Sequence, residues 1–143
     1  MKLKIKRIDK TLPIPTYQTP GSVAFDLYSR ITIDIPPQIP TIIPTNIIVK
    51  IPKGYFLMLA SRSSLPLKKH LMVSNSIGVI DQDYCGDKDE IGIQVINFSN
   101  HFVNVERGER IAQAILVKIG IVDQFIEEKQ LAAKSRGGWG STK

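Results

Sequence analysis

Short runs of β-branched and aromatic residues, broken every few positions by Pro, Gly or Asn, make up most of the 143-residue chain. "ITIDI" (31–35) alternates apolar and polar positions at period two, the pattern of a half-buried strand. "TIIPTNIIVKIP" (41–52) follows a Pro-rich bend, and "YFLMLA" (55–60), "IGIQVIN" (91–97), "FVNV" (102–105) and "AQAILVKI" (112–119) complete the set. Closely spaced short strands with turn signals between them predict an all-β sandwich or barrel. Nine prolines point the same way, because each removes a backbone donor and blocks a long helix. One short helix is predicted in "SSLPLKKHL" (63–71), with Ser63 or Ser64 as cap and Pro66 in the first turn. "FIEEKQLAA" (125–133) is a second helical candidate. No repeat, linker or low-complexity tract divides the chain, so one domain is expected.

Composition narrows the setting. A hydrophobic fraction of 43% with near-zero mean hydropathy suits a soluble globular domain. No apolar run approaches the ~20 residues that cross a bilayer, and "MKLKIKRIDK" lacks the apolar block of a signal peptide. A cytoplasmic protein without a membrane partner is expected. The single cysteine, Cys85, excludes an intrachain disulfide and a Cys-based zinc site, and two isolated histidines argue against a His-ligated metal. The net charge of +6 is concentrated in "KLKIKR" (2–7) and "KSRGGWGSTK" (134–143). The first cluster reads as lysines guarding an edge strand. A nucleic-acid binder would interleave aromatics with cations on a strand face. Tyr17, Tyr28, Tyr55 and Phe56 form no such stripe, so no nucleic-acid partner is expected.

Five segments are oddly polar for their positions. In "SNSIGVIDQDYCG" (74–86), Asp81, Asp83 and Tyr84 directly follow strand-like Val79 and Ile80, bracketed by Gly78 and Gly86; a tight β-hairpin with exposed polar groups is predicted. "GSVAFDLYS" (21–29) puts Asp26 inside an apolar strand. "ASRSSL" (60–65) places Arg62, Ser63 and Ser64 at a helix start, where free N–H groups and an Arg favour an anion; alone, it reads as a capped helix with an exposed Arg. "GERIAQAIL" (108–116) sets Gln113 among small apolar residues, where a buried amide needs partners. "RGGWGST" (136–142) surrounds the only Trp with glycines. Such an arm cannot order by itself, but it can close over a ring and phosphates.

In their order and rough spacing these five segments resemble the five motifs of the trimeric dUTPases, over nearly the whole chain from about residue 12. The resemblance implies a distorted jelly-roll-like β-barrel or sandwich over 1–132, with one short helix and a flexible Gly-rich arm over 133–143. It implies hydrolysis of dUTP to dUMP and diphosphate in a homotrimer whose active sites are shared between subunits, the arm reaching a neighbour. Asp81 matches the catalytic carboxylate that holds the attacking water, and Tyr84 the ring that leaves no room for a ribose 2′-hydroxyl. Asn75, with the backbone of Gly78, Val79 and Ile80, matches the uracil-binding turn, and Trp139 the aromatic stacked over the base, usually Phe. Arg62, Ser63, Ser64 and Gln113 match phosphate-binding positions, as do Arg136, Gly140, Ser141 and Thr142 in the arm. Mg2+ is implied, held mainly by substrate phosphates, with Asp26 acting on it through water.

The sequence departs from the family pattern in places. Lys134 and Ser135 stand where the arm usually has Arg and Gly, so either Lys134 or Arg136 serves the phosphate, and Arg136 is taken here. Cys85 replaces a common Arg, Ala24 a common Gly, and "DKD" (87–89) is inserted before Glu90, which predicts a longer turn. Asp83 reads equally as a turn residue. The related dCTP deaminases, mono- or bifunctional, use a Glu base where this chain has Gln94, an amide that cannot take a proton from water. A non-catalytic nucleotide- or nucleic-acid-binding barrel is the remaining alternative.

Overall fold

The computed structural model describes residues 1–135, 137 and 138. Eleven strands and one helix follow one another as β1 (Lys4–Arg7), β2 (Phe25–Tyr28), β3 (Ile33–Ile35), β4 (Thr41–Pro44), β5 (Ile47–Lys50), β6 (Tyr55–Ser61), α1 (Leu65–Lys69), β7 (Leu71–Val73), β8 (Gly78–Ile80), β9 (Gly92–Asn97), β10 (Val103–Val105) and β11 (Arg110–Lys118). All strand pairs are antiparallel. They make a four-stranded sheet β2-β11-β6-β8, a three-stranded sheet β4-β9-β7, and two ribbons, β1-β5 and β3-β10. This is the all-β architecture expected from the strand pattern, with the jelly-roll-like form that the family resemblance implied.

Alternation drives the packing. Along β9, Ile93, Val95 and Asn97 point into the core while Gly92, Gln94 and Ile96 lie on the outer side. Ile93 and Val95 join Leu27, Ile35, Leu57 and Ile111 in one continuous apolar cluster, each almost fully buried. At β2 the alternation stops: Phe25, Asp26 and Leu27 are all buried, so a carboxylate is enclosed on the outer strand of the four-stranded sheet. Burial of that kind requires charged or hydrogen-bonding partners.

Helix α1 has Ser64 at its N-cap position and Pro66 in its first turn. Neither serine caps it, however, since Ser64 is itself helical in conformation and makes no side-chain cap bond. The helix ends at His70, whose left-handed φ of 53° turns the chain into β7. Strand β1 is an edge strand as predicted, paired only with β5, with Lys4 opposite Lys50.

Two further expectations are corrected. Residues 125–133 form no helix; they are exposed throughout and lie beyond the last strand. Phe125, Ile126 and Leu131 are each more than 70% exposed, so this segment has no apolar face packed against the described part of its own chain to stabilise a helix. The 74–86 segment is no self-contained hairpin. The chain reverses tightly at Val73–Ile77, through Ser76 N–H to Val73 O (3.2 Å) and Ile77 N–H to Asn75 O (2.7 Å). The flanking strands then separate into different sheets, β7 on β9 and β8 on β6.

Candidate functional site

Strand β11 is the scaffold of the first cluster. Its register sets Gln113 opposite Asp26 on one side and Ala60 on the other, so β2, β11 and β6 bring three of the singled-out segments together. The register slips between Arg110 and Ala112, a local irregularity beside Asp26. Arg62 Nε–H donates to Asp26 Oδ1 at 3.0 Å, and Arg110 Nη1–H donates to Asp26 Oδ2 at 3.1 Å. Arg62 Nη1–H also reaches Arg110 O (3.2 Å), and Arg110 Nη1–H reaches Gln18 Oε1 (3.1 Å). Gln113 Nε2–H donates to Ser61 O at 2.8 Å, which satisfies part of its amide.

Two guanidiniums thus converge on one enclosed carboxylate and leave a net positive charge. Each carries five N–H donors in a planar fork, and the contacts with the protein use only part of that capacity. The remainder suits a phosphate. Ser63 is exposed and Ser64 half-buried beside this cluster in sequence. Arg110 was not singled out from the sequence. It lies within "GERIAQ", three residues before Gln113, and its place in that oddly polar segment was the one signal the sequence offered.

The second cluster lies at the other end of β6. Strand β8 pairs Ile80 with Leu57 and Gly78 with Leu59, so Asp81 continues level with Phe56. Gly78 is buried there, and a Cβ on it would approach Leu59 carbons at 3.0–3.1 Å, which fixes glycine at this crossing. Val79 and Asn75 are exposed, and Ile80 is half-buried. Asp81 is exposed and opens on a groove of about 550 Å³ with Tyr55, Phe56, Gln82 and Asp83. Its own carbonyl accepts Tyr84 N–H at 3.4 Å, and Gln82 Nε2–H anchors the turn to Tyr55 O at 3.0 Å. Asp83 O accepts Cys85 N–H (2.9 Å), the turn role open to it in the sequence. The insertion makes a compact turn: Asp89 Oδ2 accepts Gly86 N–H (2.6 Å), and Lys6 Nζ–H donates to Asp87 Oδ1 (2.7 Å). That lysine holds the exposed Asp87 carboxyl below its ordinary value.

The predicted site residues that are described thus fall in two separate clusters of one chain. From Phe56, beside Asp81, to Arg62 is six residues of extended strand, about 20 Å at ~3.3 Å per residue. Among the described residues no three His, Cys, Asp or Glu side chains converge to hold a metal. Asp26, the carboxylate assigned to the metal region, already accepts from two arginines. This donor set fits an ion carried in on phosphates, reached from Asp26 through water, rather than one caged by the protein. Among the described residues no helix is long and apolar enough to cross a membrane. Arg136, Trp139, Gly140, Ser141 and Thr142 lie outside the described residues.

A family model described as dUTPase matches residues 10–143. The chain is 41% identical over 147 aligned positions to the deoxyuridine 5'-triphosphate nucleotidohydrolase of Dictyoglomus turgidum, covering 99% of this chain and 98% of that protein. Its fold is similar to the crystal structure of dUTPase from Streptococcus mutans, with 28% identity, a TM-score of 0.77, and 84% and 98% of the two chains covered. It is also similar to the Staphylococcus bacteriophage 80alpha dUTPase solved with dUpNHpp, at 27% identity, a TM-score of 0.84, and 99% and 98% coverage.

Proposed function

Because the chain belongs to the dUTPase family, its reaction is the hydrolysis of dUTP to dUMP and diphosphate, and we propose that Asp81 carries the chemical step. Its carboxylate orients a water molecule and takes its proton as the oxygen attacks the α-phosphorus. The bond from that phosphorus to the oxygen bridging the α- and β-phosphates breaks, and diphosphate leaves. Asn75 and the backbone of Gly78, Val79 and Ile80 hold uracil. Tyr84 packs against the deoxyribose and excludes a 2′-hydroxyl, which would be buried without a partner. Arg62, Ser63, Ser64 and Gln113 bind the phosphates, with Arg110 as an additional cation. Asp26 fixes the direction of both arginines.

Mg2+ bound to the triphosphate would neutralise its charge and polarise the α-phosphorus. The arm over 133–143 is read as a separate closing element, in which Trp139 stacks on the base and Arg136, Gly140, Ser141 and Thr142 reach the phosphates.

The assembly reading is carried by the placement of Asp81 and Arg62 at opposite ends of β6, about 20 Å apart at ~3.3 Å per residue of strand. A triphosphate nucleotide cannot be held by both clusters of one chain in a compact site. A homotrimer in which one subunit's Asp81 turn faces another's Arg62 cluster supplies both at once. Deamination is disfavoured: the position of the deaminase base is Gln94, half-buried on β9 opposite Ile42. The test is diphosphate release with Mg2+ from dUTP, dCTP, dTTP and UTP. Release from dUTP alone, reduced about 10²–10⁴-fold in Asp81→Ala, is expected. Turnover of dCTP, or an unimpaired Asp81→Ala, would overturn the assignment.

A further inference from the structure

We propose that Glu90 is a positioning residue for sugar selection: clamped by Arg30, it holds the Tyr84 hydroxyl on its main-chain carbonyl and so fixes the ring that rejects ribonucleotides. The proposal rests on the reading of Tyr84 as that ring.

Tyr84 is 42% exposed, and its hydroxyl donates to Glu90 O at 3.1 Å, six residues along the chain. Without that bond a half-exposed ring on a turn has its χ1 and χ2 wells open to it. The acceptor is unusually well fixed. Glu90 Oε1 accepts from Arg30 Nε–H (2.8 Å) and from Asn46 N–H (2.8 Å), and Oε2 accepts from Arg30 Nη2–H (2.9 Å). This is a bidentate fork on a carboxylate largely shielded from solvent, the geometry in which an ion pair fixes position. The next residue, Ile91, is fully buried. Its N–H donates to Ile47 O (2.9 Å), and its carbonyl accepts the Thr45 hydroxyl (2.6 Å) and N–H (3.0 Å). Asn46 is itself anchored, its side chain accepting Asp9 N–H (2.6 Å) and donating to Asp9 O (2.9 Å).

The residues between Tyr84 and Glu90 are tied as well. Gly86 is capped by Asp89, and Asp87 is held by Lys6. The inserted "DKD" turn thus bridges the two ends of the clamp while leaving the ring's contact with Glu90 intact. Selectivity against one added hydroxyl depends on denying it space, and a pocket wall that can swing away denies none.

The experiment compares kcat/KM for dUTP and UTP in the full chain and in Glu90→Gln, Tyr84→Phe, Tyr84→Ala and the Glu90→Gln/Tyr84→Ala double variant. The expected result is that Glu90→Gln reduces the dUTP/UTP preference about tenfold while dUTP turnover stays near wild type. Tyr84→Ala reduces the preference further, and the double variant no more than Tyr84→Ala alone, because Glu90 acts through the ring. Unchanged preference in folded Glu90→Gln beside a loss in Tyr84→Ala overturns the positioning role and leaves the reading of Tyr84 intact. Unchanged preference in Tyr84→Ala overturns both. Should Glu90→Gln fail to fold, Tyr84→Phe decides, since it removes only the hydroxyl and leaves the Arg30 pair in place. A loss of preference there supports the clamp, and none overturns it.

Discussion

Mixing two inactive variants tests the shared site directly. Asp81→Ala removes the carboxylate at one end of β6, and Arg62→Ala removes the cation at the other, about 20 Å away along the strand. In a threefold assembly where each site draws Asp81 from one subunit and Arg62 from its neighbour, random one-to-one mixing gives each half an even chance of being intact. About a quarter of the sites then carry both residues. Since a lost base or cation lowers turnover by about 10²-fold or more, that quarter stands well above the two variants measured separately. The assay is diphosphate release after the variants are unfolded together in denaturant and refolded, with each refolded alone as control. Activity no higher than the mean of the two controls would refute the arrangement. It would require both residues to act from one chain across a sheet that does not bring them together.

Other consequences concern single positions. Gly78→Ala should lower stability by about 1–3 kcal/mol, because the added Cβ would meet carbons of the fully buried Leu59 at 3.0–3.1 Å and force them to shift within the core; a thermal melt with unchanged Tm would show that the core repacks. Asp26→Asn should lower kcat/KM for dUTP by about 100-fold by loosening Arg62 and Arg110, with Tm as the control for folding. Hydrogen bonds from Arg107 first, and then from Thr11, hold the Asp9 carboxyl well below its ordinary value of 3.8. Its contribution is therefore complete above about pH 4 and is lost as pH falls through the depressed range. Asp9→Asn should flatten the acid limb of stability against pH, and an unchanged limb in urea titrations would exclude Asp9 as a source of acid sensitivity.

Most strands could be read directly from the chain because alternation is a local property. "IGIQVIN" alternates, and β9 buries Ile93, Val95 and Asn97. The partner of a strand is not local. Residues 74–86 carry the turn and strand signals of a hairpin, yet β7 and β8 find β9 and β6 because those edges were open to them. "FIEEKQLAA" has helix-forming residues, but propensity without a packed face leaves so short a segment unordered as a helix. Asp26 and Gln113 were identifiable as polar residues in apolar surroundings, and Arg62 as a cation beside serines at a helix start. Arg110 was hidden because an exposed strand-end arginine looks ordinary until its distance to Asp26 is known. Glu90 was hidden because its effect passes through a main-chain atom, which no side-chain pattern records.

The pairing of β2 with β11 also governs when this protein can be made functional. Phe25 meets Ala114 and Asp26 meets Gln113, while β3 waits for β10 and Asp9 for Arg107. Contacts so distant in sequence close late and slowly, after their loop entropy has been overcome. On the ribosome, the segment bearing Asp26 has no strand to join until residues beyond 110 have emerged. A nascent chain interrupted before then lacks Arg110 and Gln113 and leaves Asp26 and the open sheet uncovered. Such a fragment is a substrate for chaperones and proteases, not a partly active enzyme.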